Sequence, residues 1–190
     1  MTVKKRKDTQ VARVFMHKIA DIRGGVSVAS SVLGGDYLYE GTPLSAPVDG
    51  ICYVIKYAVV AADVADTDTT ITVKIGHHFQ VGDVVLTATG SVAATITAIT
   101  TNNSNSSYDD ITISAALGAI SAGDYIAEAA AETTGSDSAL AYTPVALVGT
   151  GKPVISGVNI DTDAWVIGVT KGNDLPSYIA SELTGIVNYD

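Results

Sequence analysis

The 190-residue chain has a single cysteine, Cys52. That excludes a disulfide scaffold and any zinc or iron–sulfur site built on several cysteines. The longest apolar run, Tyr57 to Ala62, is far short of the roughly 20 residues a membrane-spanning helix needs. The basic stretch Lys4–Lys7 leads into polar residues rather than the apolar segment of a secretory signal. A soluble protein made in a cytoplasm, with no membrane partner, is expected. Charged residues are scarce at 16 %, and mean hydropathy is +0.30. So little surface charge predicts more burial than one chain of this length supplies, and hence self-association.

What is abundant is β-branched. Val and Ile total 40 against 9 Leu, and Thr adds 21. Their stiff χ1 packs well on a pleated surface, so the composition predicts a mostly β protein. Tyr outnumbers Phe nine to two, which suits half-exposed sheet faces or interfaces where the ring packs and the hydroxyl stays wet. The length fits one domain or two small ones and supports a real core.

The net charge of −9 is unevenly spread. Residues 1–23 carry Lys4, Lys5, Arg6, Lys7, Arg13, Lys18 and Arg23 against two acids, a net of +5; the remaining residues carry −14. A basic arm on an acidic body fits docking on something negative; a solvated arm is the plainer alternative. Val11, Val14, Phe15 and Ile19 have helical spacing, so a short amphipathic helix over Thr9 to Ile19 and an extended segment lying on a partner both remain open. Nucleic acid is disfavoured as the partner, because the body's charge opposes it and no basic face is interleaved with aromatics.

Strands are expected at Tyr37–Tyr39, at Ile51–Val60 after an Asp49-Gly50 hairpin turn, and at Pro144–Val148, Pro153–Val158 and Trp165–Thr170. A helix is expected from an Asp174 cap to Leu183 with Gly185 as its stop, then an edge strand over Ile186–Tyr189. The clearest pattern is an internal repeat. Ile71-Thr72-Val73 leads to Val81-Gly82-Asp83, and Ile111-Thr112-Ile113 leads to Ala122-Gly123-Asp124. Each unit reads as a strand, a loop, a Gly-Asp turn and a second strand. Between the units lie a strand at Ala94–Thr100 and a polar loop whose Asn102, Asn103 and Asn105 mark an exposed tip. The organisation predicted is a basic arm (1–23), a sandwich- or barrel-like base (24–66 with 140–190) and an inserted two-repeat β-module (67–139).

Residues for catalysis are not arranged in any recognised pattern, and neither an enzyme nor a cofactor is expected. No nucleophile elbow, Walker loop or dinucleotide fingerprint occurs. Gly149-Thr150-Gly151-Lys152 leads into Pro153 and a strand rather than a helix, which argues against phosphate binding. His77 and His78 are adjacent, so on a strand their rings would face opposite ways, a poor metal geometry. Cys52 sits in an apolar strand and reads as a buried structural thiol. Asp63, Asp66 and Asp68 lack the glycine and terminal Glu of a calcium loop. They read as solvated acidic loops, as do Asp109-Asp110, Asp161 and Asp163. Trp165 reads as a core residue.

The order of the short motifs is nevertheless suggestive. Gly41-Thr42-Pro43-Leu44 is followed by Ile75-Gly76-His77-His78-Phe79-Gln80-Val81-Gly82-Asp83, by Tyr108-Asp109-Asp110-Ile111-Thr112-Ile113, and by Leu140-Ala141-Tyr142-Thr143-Pro144. Over about residues 36–187 this resembles the head fibre and capsid decoration proteins of tailed bacteriophages, particularly those of gut Bacteroidetes. The resemblance implies a non-enzymatic virion component made in the host cytoplasm. It would sit on the outer capsid, with the major capsid protein as partner, often as a homotrimer. The basic arm would be the capsid anchor and the repeat module the outward part. The alternative, from another class, is a carbohydrate- or receptor-binding β-module that meets a host-surface glycan. A cluster of exposed aromatics beside acids would favour it.

Overall fold

The computed structural model describes residues 13–102 and 107–189. The protein is mostly β with one short helix near its C-terminus. The first strands are β1 (Phe15–Asp21), β2 (Val26–Val28), β3 (Tyr37–Leu38), β4 (Pro43–Ser45) and β5 (Ile51–Cys52). Six strands of the central module follow: β6 (Tyr57–Val59), β7 (Thr70–Lys74), β8 (Val84–Leu86), β9 (Ala93–Thr101), β10 (Tyr108–Ile113) and β11 (Tyr125–Glu128). The chain then returns to the base through β12 (Pro144–Val148), β13 (Lys152–Pro153), β14 (Ile160–Thr162), β15 (Ala164–Lys171), α1 (Ser177–Ala180) and β16 (Ile186–Tyr189). Among the described residues no helix is long and apolar enough to cross a membrane.

The module is a closed barrel with an internal two-fold. Its strand order is β6-β11-β8-β9-β10-β7. A Val60–Val73 bridge and the Ala61 N–H to Thr72 carbonyl bond join the two end strands. Ile71 pairs with Ile111, and Leu86 with Ala127. Each pair joins equivalent positions of the two repeats, as a pseudo-dyad requires. The apolar core repeats the symmetry: Ala58 matches Ala94, Val60 Ile96, Val73 Ile113, Phe79 Ile120 and Val85 Ile126, all buried. The repeating unit is therefore three strands, β6-β7-β8 and β9-β10-β11. Tyr57–Val59, placed in the base by the sequence reading, is a barrel strand.

The two Gly-Asp turns form as expected and match bond for bond. The backbone N–H of Gln80 donates to Asp83 Oδ2 at 2.7 Å, and that of Ser121 to Asp124 Oδ2 at 3.1 Å. Gly82 and Gly123 hold φ of +99° and +96°. An L side chain is strained in that conformation by roughly 1–2 kcal/mol, which accounts for the glycines.

The base consists of a β1-β15-β12-β4 sheet, with β16 added in parallel to β15, and two smaller sheets, β14-β2-β5 and β13-β3. Its core includes Val28, Leu38, Leu44, Cys52, Val54, Val148 and Ile160. A third apolar cluster, with Ile55, Leu86, Ala127, Leu147, Ile179 and Leu183, joins base and barrel. Burying such side chains is worth about 1.5–3 kcal/mol each, so the two halves are firmly coupled.

Several expected elements differ. Ile51–Val60 is not one strand. Residues 53–55 leave β5 to pair with β4, through Ser45 N–H to the Tyr53 carbonyl and Ile55 N–H to the Pro43 carbonyl, before β6 enters the barrel. One apolar run thus serves two layers. The helix is a single turn that starts at Ser177 rather than after Asp174: Pro176 (φ −52°, ψ 139°) stands extended at its N-cap with no side-chain cap bond, and a proline disfavours helical backbone in the residue before it. Gly185 is not a helix stop. A Cβ there would lie 2.2 Å from the Val166 carbonyl oxygen, so the glycine permits close approach of strands. Pro153–Val158 turns back on itself through an Ile155–Val158 bridge at Gly157. Of the two conformations open to the N-terminal segment, Phe15–Asp21 is extended and paired with β15; residues 9–12 lie outside the described residues. The expected β16 is present.

Candidate functional site

Lys56 stands in the apolar run just before β6, and its side chain is only 2 % exposed. A lone buried ammonium is prohibitively costly, so it is paired. Its Nζ lies 2.7 Å from Asp83 Oδ2 and 3.2 Å from Glu128 Oε1. Asp83 comes from the first Gly-Asp turn and Glu128 from the end of β11. One ammonium therefore ties together three parts of the barrel. Burial pushes the Glu128 carboxyl above its ordinary range, against the pull of Lys56.

His77 and His78 follow β7 on a loop rather than lying on a strand. His77 Nδ1 accepts the Phe79 N–H at 3.2 Å, and its Nε2 lies 3.3 Å from Asp109 Oδ2. Burial nevertheless lowers its pKa. His78 is buried, and neither ring nitrogen has a hydrogen-bond partner. Its pKa is lowered to about 4 by burial first, then by His77 and Lys56, with Asp36 opposing. The ring is neutral at pH 7. The base packs directly against this loop. Gly34 N–H donates to the His78 carbonyl at 2.9 Å, and a Cβ on Gly35 would lie 2.9 Å from His78 Nδ1.

Lys56, His77 and His78 line a cleft of about 370 Å³ between base and barrel. Tyr39, Glu40 and Asn173 contribute from the base, with Asp174 and Lys74 near them. Tyr39 is exposed and its ring tilts against Tyr37 at 5.0 Å. Asn173 is committed to the Gly41 carbonyl, and Glu40 accepts the Phe15 N–H. The sequence reading missed Lys56, Glu128 and Tyr39 as a group. The one signal available was the isolated charge of Lys56 in an apolar strand.

Of the expected anchor residues, Arg13 and Lys18 line one shallow pocket. Lys4, Lys5, Arg6 and Lys7 lie outside the described residues. Arg13 and Arg23 are exposed. Lys18 turns onto its own chain. Its Nζ donates to the Gly149 carbonyl at 2.7 Å, lies 3.5 Å from Asp163, and sits over the Phe15 and Trp165 rings. At the expected tip, Asn103 and Asn105 also lie outside the described residues. Asn102 Nδ2 donates to both Asp110 oxygens at 3.0 Å.

Asp63, Asp66, Asp68 and Asp161 are exposed, as expected, whereas Asp109, Asp110 and Asp163 are half-buried. Asp110 takes a bond from Thr72, Asp109 faces His77, and Asp163 accepts Trp165 Nε1–H at 2.7 Å. Trp165 itself is half-buried rather than in the core. Asp63 and Asp68 cap the backbone N–H groups of Ala122 and Ala65. Cys52 is buried, and burial raises its thiol pKa. No group of three His, Cys, Asp or Glu among the described residues is placed to hold a metal ion. Set against protein-family models, curated proteins and solved structures, the chain matches none of them.

Proposed function

We propose that the chain is a structural protein of a tailed-phage head, without catalytic activity. It would be a head fibre or decoration protein held on the outer capsid as a homotrimer, with the major capsid protein as partner. The motif resemblance supplies the class. The observation that carries the assembly reading is an apolar face on the base sheet. Strand alternation puts Ile167 and Val169 on one face of β15, and the parallel register sets Val187 beside Val169 and Tyr189 beside Lys171. Ile167, Val187 and Tyr189 are 43 %, 52 % and 59 % exposed. Across the sheet β1 sets His17 and Ala20 beside Val169 and Ile167, and Met16 and Ile19 are exposed at two of its irregularities. Apolar side chains gathered in this way favour a protein partner. The basic stretch Lys4–Lys7 precedes β1 of the same sheet in the chain.

Light scattering on the full chain tests the assembly. A mass three times the 19.5 kDa of the chain is expected. Val187→Asp with Ile167→Asp is expected to return it to one chain, with a circular dichroism spectrum unchanged. A wild-type mass of 19.5 kDa at high concentration refutes the trimer.

A further inference from the structure

The barrel's internal symmetry isolates what is not symmetric. Asp83 and Asp124 fill the same place in the two Gly-Asp turns, and each accepts the backbone N–H three residues back. The core matches then set Lys56 opposite Val92, and Glu128 opposite Thr87. The second repeat closes its half of the barrel with Val92, Thr87 and an exposed Asp124 in those places. A buried ammonium held between two carboxylates is therefore not what the fold requires, and burying it is costly.

We propose that Lys56 and Asp83 close an intramolecular isopeptide bond, with Glu128 as the proton carrier. The proposal does not depend on the virion reading above, and a single self-reaction of the chain is not turnover.

Three features select this chemistry. The reacting groups are already in contact. Lys56 Nζ is 2.7 Å from Asp83 Oδ2, and the Gln80 N–H holds that same oxygen at 2.7 Å. Groups fixed in this way react as if at an effective concentration of up to about 10⁵–10⁸ M. The site is also largely dry, since the Lys56 side chain is 2 % exposed and those of Asp83 and Glu128 are 15 % and 14 % exposed. Burial disfavours the charged forms, and the neutral amine is the nucleophile. Finally, a proton carrier stands at the nitrogen. Glu128 Oε1 is 3.2 Å from Nζ, its Oε2 is buried with no hydrogen-bond partner, and burial holds its carboxyl above the ordinary range. Such a group takes up a proton and gives it back.

The ammonium passes one proton to Asp83, which leaves an amine and a carboxylic acid. Nζ attacks Cγ, and the C–N bond forms while Glu128 takes a second proton from the nitrogen. Glu128 returns that proton to the hydroxyl on Cγ, the C–O bond breaks, and water leaves. The product is a neutral amide, with Glu128 as it began. The bond would tie the entry of β6 to the turn before β8, across the β11 strand between them. The structure holds the ion pair that precedes this step, and the ammonium's share of stability belongs to that unbonded chain.

Intact-mass spectrometry of the full chain in denaturant tests the proposal, since an ion pair does not survive there. Over a week at neutral pH, a species lighter by one water molecule is expected to form. Trypsin does not cut at an acylated lysine, so the peptide spanning Lys56 is expected uncut and joined to the peptide that contains Asp83. Fragmentation is expected to place the link on Asp83. Glu128→Gln, of nearly the same shape, is expected to keep the full sequence mass with a wild-type circular dichroism spectrum. Three results overturn the proposal: a wild type that keeps its sequence mass throughout, a link on a residue other than Asp83, or closure of Glu128→Gln at the wild-type rate.

Discussion

Lys56→Ala is expected to lower the unfolding free energy by about 3–5 kcal/mol, much of the 5–15 kcal/mol that a domain typically has. The loss is not the worth of an ion pair. It is the cost of leaving Asp83 and Glu128 largely buried without the ammonium 2.7 and 3.2 Å away. Two comparisons separate that cause from the lost volume. Lys56→Met retains most of the side chain's bulk and is expected to lose nearly as much. Lys56→Met combined with Asp83→Asn and Glu128→Gln removes the stranded charges and is expected to recover more than half of the loss. Urea unfolding of the four proteins measures all three differences. A change below about 1 kcal/mol for Lys56→Ala would place the cluster among exposed ion pairs, against its burial.

The second large effect is a pH dependence carried by His78. In the unfolded chain its imidazole takes a proton as the pH falls through about 6.5; in the folded protein it holds off until about 4. The folded state thus binds fewer protons over this window. Its stability is complete above about pH 6.5 and is lost progressively as the pH falls toward 4, by about 3 kcal/mol in all. The groups facing the ring explain the shift. His77 and Lys56 oppose a new positive charge, and Asp36 compensates only in part. His77, also lowered by burial, adds a change of the same sign. Glu128 works in the other direction, because its raised pKa means that protonation relieves its burial. His78→Leu isolates the term. The variant is expected to match or exceed the wild type at neutral pH, having lost two unpartnered buried nitrogens. It is also expected to lose about 3 kcal/mol less than the wild type between about pH 7 and 4. Parallel stability curves for the two proteins would contradict this account.

The parts of the fold legible in the sequence were those set by local chemistry. Val, Ile and Thr announced strands, and the Gly82-Asp83 and Gly123-Asp124 turns announced a repeat, because positive φ and an Asp side chain bonded three residues back are written into adjacent positions. The first strand of each unit was read as a strand but not as part of the repeat: Ala94–Thr100 was set between the units and Tyr57–Val59 in the base. Ala58 and Val60 match Ala94 and Ile96 in the core, but small apolar residues are common throughout the chain. The loops that follow differ in length, so no single offset aligns the two units. Pro176 overrode the helix pattern that Asp174 and Leu183 outlined. For the site, Lys56 was visible as a solitary charge among apolar residues. Its partners were not, since Asp83 and Glu128 reach it only through the closing of the barrel. The charge of Lys18 counted toward a basic arm, whereas its position in β1 turns it onto Gly149 and Asp163. Summed charge does not reveal which cations are already engaged.

Under the proposed capsid role, that distinction would leave anchoring to Lys4–Lys7 with the exposed Arg13 and Arg23, rather than to Lys18. Co-sedimentation with assembled capsids of a tailed phage proposed as its carrier tests this most directly, comparing wild type, Lys18→Ala and a chain lacking residues 2–12. The account predicts that wild type and Lys18→Ala pellet with capsids, and that the shortened chain stays in the supernatant while keeping its wild-type circular dichroism spectrum. Undiminished binding of the shortened chain would contradict the anchor, and failure of the wild type to bind would contradict the capsid role itself.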